Sequence, residues 1–289
     1  MTRPRERSAG SAHPLWQLRA EGRLPAVVGN RDVPKEQRGC IGDRLRFFER
    51  CRATGIATPP ILMVLDRGNI LLLEHDDREL PPVGLFIKPV RDTGRNGAEF
   101  WHCTGHGWTR GKDWLDVDAL LERALERSHR GAVIIQPALH PHPALAPLGR
   151  GGMPTARIIT IVNGRGEIEV GGAALRMPVG SDTATAQAGS IAAAIDLRTG
   201  RLGPATGLGP GKCDARHERH PATDAAIAGV ILPHWPVTAA LACEAHARMN
   251  ERTIIGWEVA ILEHGPTVLE GSGRPDVSLL ARLQRCADR

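Results

Sequence analysis

The 289-residue sequence predicts an α+β protein of two lobes built on mostly antiparallel sheets. Short apolar runs of strand length are interleaved with a few helical periods, without regular strand–helix–strand alternation. A Pro- and Gly-rich stretch, His140–Pro154, reads as a hinge between two halves. The second half carries hairpin signals at Asn163-Gly164 and across Ile254–Gly271. The expected division is a partly ordered arm over 1–40, a first lobe over 41–140 and a larger lobe over 141–289.

The elements follow in order. Residues 1–38 are polar and rich in Arg and Pro, with a short helix expected near Leu15–Ala20. Ile41–Thr54 has helical spacing at Ile41, Leu45, Phe48 and Cys51, and Gly55 stands where a C-cap glycine would. Strands are expected at Ile61–Leu65 and Ile70–Glu74 around an Asp66-Arg67-Gly68 turn, and at Val83–Val90 and Glu99–Cys103. Trp114–Arg127 reads as an amphipathic helix with Leu115, Leu120, Leu121 and Leu125 inward, and Ala132–Gln136 as a buried strand. Strands at Ala156–Val162, Glu167–Ala174 and Ile191–Ile195 follow, then a helix over Pro236–Asn250. A last hairpin, Ile254–Leu262 and Thr267–Gly271, precedes a last helix, Ser278–Cys286.

Composition narrows the class. Hydrophobic residues at 42% and charged residues at 24% support a sizeable core and exclude wholesale disorder. The net charge of +5 is an arginine effect, because only Lys35, Lys88, Lys112 and Lys212 are lysines. Such a surface suits phosphate-bearing partners, but a codon bias toward Arg, Ala, Gly and Pro is the simpler account of it. No apolar run reaches the ~18–20 residues of a membrane span. The basic N-terminus lacks an apolar signal core, and the six cysteines are scattered, so reduced thiols in a prokaryotic cytoplasm are expected. Four Phe, six dispersed Trp and no Tyr offer no stacking platform for nucleic acid. A homodimer is compatible with the sequence. Cys213, His217 and His220 lack a second cluster at zinc spacing.

Three features carry chemistry. A hairpin centred on His264 would set Glu258 opposite Glu270, with both carboxylates on one face. Opposed like charges cost roughly 0.2–1 kcal/mol, and a divalent cation between them reverses the sign. Mg²⁺ suits two carboxylates completed by phosphate oxygens and water. One protonated Glu, or a register off by one, is the alternative. Lys88 lies inside the apolar strand Leu85-Phe86-Ile87-Lys88-Pro89-Val90, before the glycine-bearing loop Gly94, Arg95, Asn96, Gly97. A strand lysine and a glycine loop can hold a polyphosphate, and an edge-strand lysine beside an ordinary turn is the plainer reading. Arg157 opens a strand after the hinge, and an arginine fork suits phosphate.

In order, FIKPV (86–90), IIQPALHPHPAL (134–145), GGMPTARIIT (151–160), GGAALRMP (171–178), AAAIDLRTGRL (192–202), HPATDAAIAGVILPHW (220–235) and IIGWEVAILEHGPTVLEGSGRPDVSLL (254–280) resemble the sugar-transfer-associated ATP-grasp family. The resemblance covers about Gly42 to Leu280. It implies an ATP-grasp fold, in which two α+β lobes clamp ATP, and an ATP- and Mg²⁺-dependent ligase. Such an enzyme joins a small-molecule carboxylate to an amine or other nucleophile through an acyl phosphate. Polysaccharide or secondary-metabolite biosynthesis is the setting that the family name suggests. Lys88 and the loop with Gly94, Arg95 and Gly97 would then meet the phosphates. Gln136 would lie beside adenine, Arg157 would face the transferred phosphoryl, and Arg176 would hold phosphate or substrate carboxylate. Glu258, Glu270 and Ser272 would form the metal set. His220 matches a family position.

The sequence departs from the pattern around the metal and phosphates. The family usually has Asp at the place of Glu258 and Asn at that of Ser272. An Asn expected near position 184 and a second Gly at 190 are replaced by Ala184 and Ser190. A small-molecule kinase and a degenerate nucleotide-binding module are the alternatives.

Overall fold

The computed structural model describes residues 39–72, 80–91, 98–180, 190–208, 215–277, 280 and 283. Two sheets organise it, and every strand pair within them is antiparallel. The first sheet is built from β1 (Met63–Asp66), β2 (Asn69–Leu72), β3 (Leu85–Pro89), β4 (Glu99–Cys103), β5 (Trp108–Arg110), β6 (Asp113–Leu115) and β7 (Val133–Pro137). Its order is β2-β1-β7-β3-β4-β5-β6. The second contains β8 (Thr155–Val162), β9 (Ile168–Pro178), β10 (Ser190–Ile195), β11 (Leu202–Gly207), β12 (Ile254–Leu262) and β13 (Gly265–Ser272). Its order is β11-β10-β9-β8-β12-β13. Three helices accompany them: α1 (Arg44–Thr54), α2 (Val117–Ser128) and α3 (Trp235–Met249).

Helix α1 links the sheets. It starts where the Asp43 side chain accepts the Arg46 N–H, one of the donors a helix start leaves unsatisfied. It stops at Gly55, whose φ of 73° is left-handed and easy only for glycine. Phe47 joins the core of the second sheet, with its ring 6.4 Å from Trp257. Phe48, the next residue, joins Ile61, Val64, Val90 and Ile134 against the first sheet. Upstream, the buried Glu251 carboxylate accepts the N–H groups of Gly39 and Ile41, at 2.8 and 2.6 Å. Ile41 and Gly42 therefore precede the helix, where the periodicity predicts them inside it.

The other face of the first sheet packs Leu65, Leu85, Ile87, Trp101 and Ile135 against Leu120 and Ala124 of α2. The predicted helix start at Trp114 is incorrect. Trp114 lies in β6, and Asp116 caps α2 by accepting the Ala119 N–H. The Asn163-Gly164 signal does mark a hairpin, but its loop is longer than two residues. Val162 pairs with Ile168, and Asn163 Oδ1 accepts the N–H groups of Arg165 and Glu167. His140–Pro154 connects the sheets as a packed segment, with Leu145 and Leu148 buried in the second core and the His142 N–H donated to Ile261 O. The N-terminal arm and most of the last helix lie outside the described residues. Within that helix Leu280 and Leu283 are described and helical, and Val277, just before its expected start, is helical as well.

Behind β12 runs a buried polar chain. The Trp257 indole N–H donates to Thr160 Oγ1 at 2.7 Å, and Thr160 Oγ1 lies 2.6 Å from His246 Nδ1. Indole nitrogen only donates, so the Thr160 hydroxyl is free to donate to His246. His246 Nε2 then carries the proton, 3.0 Å from Arg252 O. Thr160→Val keeps the shape and removes the hydroxyl. It should destabilise the fold by about 1–3 kcal/mol for each buried polar group left unpaired, measured by urea denaturation.

Candidate active site

The hairpin of β12 and β13 turns at Glu263-His264, with Leu262 opposite Gly265 and Val259 opposite Val268. Continued without a break, that register would bring Glu258 opposite Leu269. A bulge between Glu258 and Val259 in the ladder shifts it by one, and Glu258 faces Glu270. The expected opposition is present, produced by a tight turn plus a bulge and not by a turn centred on His264.

Each carboxylate is met by arginine. Glu258 stands opposite Arg157 of β8, and their ion pair is 2.9 Å long. Its other oxygen accepts the Thr155 hydroxyl at 3.0 Å. Burial pushes the Glu258 carboxyl up, but Arg157, Arg176, Thr155 and Lys88 outweigh it and hold the group below its ordinary pKa. Glu270 accepts from Arg44 at 3.3 Å on both oxygens. Arg44 also donates to Pro89 O of β3 at 2.9 Å, so one side chain bridges the two sheets. Arg176, in β9 opposite Thr155, donates to the Ser190 hydroxyl at 3.3 Å. Burial lowers its pKa; Glu258 opposes that and Arg157 adds to it.

Lys88 reaches this cluster from the first sheet. Its ammonium lies 4.7 Å from the Phe86 ring centroid and donates to Gln136 Oε1 at 3.3 Å. Desolvation, then Arg44, depress its pKa to about 8, while Glu258 and Glu270 hold it up. The Gln136 amide donates to Pro59 O at 3.3 Å, so this side chain is engaged with Lys88 and the chain before β1.

Arg44 is the residue that sequence reasoning missed. Its only local signal is its place directly after the capping Asp43, which does not stand out among so many arginines. Ser272, two residues beyond Glu270, pairs with Gly256 and accepts the Arg274 N–H on its hydroxyl at 3.3 Å. His220 is buried, with Nε2 3.0 Å from Pro178 O, and burial lowers its pKa. That contact holds the end of β9. Gly94, Arg95, Gly97, Ala184 and Cys213 lie outside the described residues.

Arg44, Lys88, Arg157 and Arg176 thus surround two carboxylates, and positive charge is in excess. No group of three His, Cys, Asp or Glu side chains suited to a metal occurs among the described residues. Two carboxylates give hard oxygen donors but no closed cage. Such a set fits a Mg²⁺ ion that shares its shell with phosphate and water.

The family model for sugar-transfer associated ATP-grasp proteins matches residues 32–284. The chain belongs to this family. Its two antiparallel sheets are the two sheets of the ATP-grasp fold. Among solved structures, a D-alanine–D-alanine ligase from Bacillus anthracis is 13% identical, with 83% of this chain and 59% of that one covered and a TM-score of 0.46. A D-alanyl-alanine synthetase A from Vibrio cholerae is 10% identical over 88% of this chain and 62% of that one, with a TM-score of 0.48. For an N5-carboxyaminoimidazole ribonucleotide synthetase in its ADP complex the identity is 12%, the coverage 81% and 45%, and the TM-score 0.46. This ATP-grasp chain therefore spans less than two thirds of each of these structures. No curated protein matches it at a significant level.

The depressed pKa of Lys88 sets a pH dependence. The folded protein releases this proton near pH 8, while the unfolded chain keeps it to the ordinary 10.5. Between these values the unfolded state binds more protons, so stability rises with pH. Urea unfolding from pH 7.5 to 10 should show the rise, and Lys88→Met should flatten it.

Proposed function

We propose that this chain is an ATP- and Mg²⁺-dependent ligase that joins a carboxylate to an amine or another nucleophile through an acyl phosphate. The observation that carries the reading is the opposed Glu258 and Glu270, ringed by cations from both sheets. Lys88 and Arg44 would bind the polyphosphate, where the excess positive charge is otherwise unbalanced. Gln136 orients the Lys88 ammonium by accepting its hydrogen bond. Glu258 and Glu270 would hold Mg²⁺, which supplies charge neutralisation at the phosphate oxygens.

Arg157 and Arg176 stand beside the carboxylates on the second sheet. They would stabilise negative charge as the phosphoryl group moves to the substrate carboxylate. The γ-phosphoryl bond to ADP breaks as its bond to the carboxylate oxygen forms; the nucleophile then attacks the acyl carbon, phosphate leaves, and the proton of the nucleophile passes to the departing phosphate or to water. Low Glu258 basicity suits this arrangement, because a carboxylate kept ionised remains a ligand and does not take the proton of the amine. Ser272 would contribute a weaker hydroxyl donor.

Calorimetry is the deciding experiment. ATP should bind the full chain, and Mg²⁺ should tighten the binding. Lys88→Ala should weaken ATP binding with or without Mg²⁺. Glu270→Gln should abolish the effect of Mg²⁺ and leave Mg²⁺-free binding nearly unchanged. No Mg²⁺-dependent ATP binding by the wild type overturns the reading. Phosphate release that needs both a carboxylate and a nucleophile supports the ligase; a stable phosphorylated product from one substrate would make it a kinase.

Ser272→Asn restores an amide oxygen two residues after Glu270. If position 272 is a weakened ligand, Mg²⁺-dependent ATP affinity should rise or hold. A large loss in the same titration would give the serine a task of its own.

A further inference from the structure

Beside the carboxylate pair lies a cavity of about 380 Å³ that carries an arginine the scheme above does not use. Arg157 and Arg176 line it, as do Ser272, Arg274 and Asp276, with Ile159 and Leu280 among its apolar walls. Three guanidinium groups therefore meet one carboxylate among the described lining residues. Arg157 is committed to Glu258, and Arg176 has Ser190 and the field of Glu258. Asp276 has an interaction of its own. The exposed Arg274 side chain makes no ion pair or hydrogen bond among the described residues.

The segment carrying Arg274 is fixed in place. Its backbone N–H donates to the Ser272 hydroxyl at 3.3 Å. The next residue, Pro275, lies against β12 at Gly256, where an added Cβ would come within 2.7 Å of the ring. Only glycine at 256 permits that approach. The wall is thus held, and the guanidinium stands at its rim. Ser272 is two residues from Glu270, roughly 7 Å along the strand, and Arg274 lies further on. A single carboxylate at Arg157 and Arg176 would leave the exposed Arg274 guanidinium to water alone.

We infer that the cavity takes the acid substrate, and that this acid is small and carries a second anionic group, bound by Arg274. This rests on the chain being an ATP-dependent carboxylate ligase. The reacting carboxylate lies toward Arg157 and Arg176, a short aliphatic spine rests on Ile159 and Leu280, and the distal anion meets the Arg274 fork. A guanidinium accepts either carboxylate or phosphate in that geometry.

The test is calorimetry on the full chain with three probes of similar spine: glutarate, 4-phosphonobutyrate and valerate. At least one dianion should bind about tenfold or more tighter than valerate, since charge-assisted pairs are the strong hydrogen bonds. The tighter of the two identifies the second group. Arg274→Gln, at an exposed position, should bring that ratio to within about twofold while valerate affinity stays the same. Equal binding of all three acids, or a preference that survives Arg274→Gln, overturns the inference. ATP is titrated separately: its failure to bind overturns the ligase reading, whereas the acid preference is read without nucleotide and stands or falls alone.

Discussion

Two carboxylates held face to face across one hairpin are the constraint around which this molecule is arranged. Glu258 and Glu270 repel each other, and the fold answers with cations drawn from separate elements. Arg157 comes from the neighbouring strand, Arg44 from the start of α1, and Lys88 from the other sheet. These ion pairs are only half-buried, and such pairs add little net stability because water screens them and their partial desolvation offsets the attraction. Their retention is better explained by what they organise. The same contacts that quiet the repulsion bring the N-terminus of α1, the end of β3 and the hairpin to one point.

The support behind this point is of a different kind. Glu258 lies on the face that carries the charged cluster, while its neighbour Trp257 is buried on the opposite face and tied through Thr160 to His246. Alternation along the strand thus couples a dry hydrogen-bonded chain to a charged face. The dry side keeps β12 from sliding, and a slip of one residue would exchange Glu258 for an apolar side chain.

Much of the fold was legible because strands here are short apolar runs with clear breaks. β4 and β12 match their predicted bounds, and Gly55 caps α1 as its position suggests. The three-residue strands β5 and β6 were not legible, since three residues give too little alternation and Trp114 and Leu115 also fit a helical period. In the site, Lys88 stood out by rarity and the two glutamates by their apolar surroundings. Their opposition was expected from a symmetric turn and is achieved through a bulge, a backbone irregularity that no residue type announces. Arg44 was hidden by abundance: a strong signal in a lysine-rich protein is background in this one. Arg274 had no signal in isolation, because its interest lies in the cavity that the chain builds around it.

Phe47 and Phe48 are adjacent in the chain yet belong to different cores. Neither ring can leave its core without opening a void, and large aromatic cavities cost several kcal/mol. Sliding one sheet past the other would pull one of these rings out. A twist about the long axis of α1 would sweep them sideways in the same way, because both rings project outward from the helix. The helix therefore works as a rivet: its two aromatic heads fix the spacing of the two sheets beside the charged cluster.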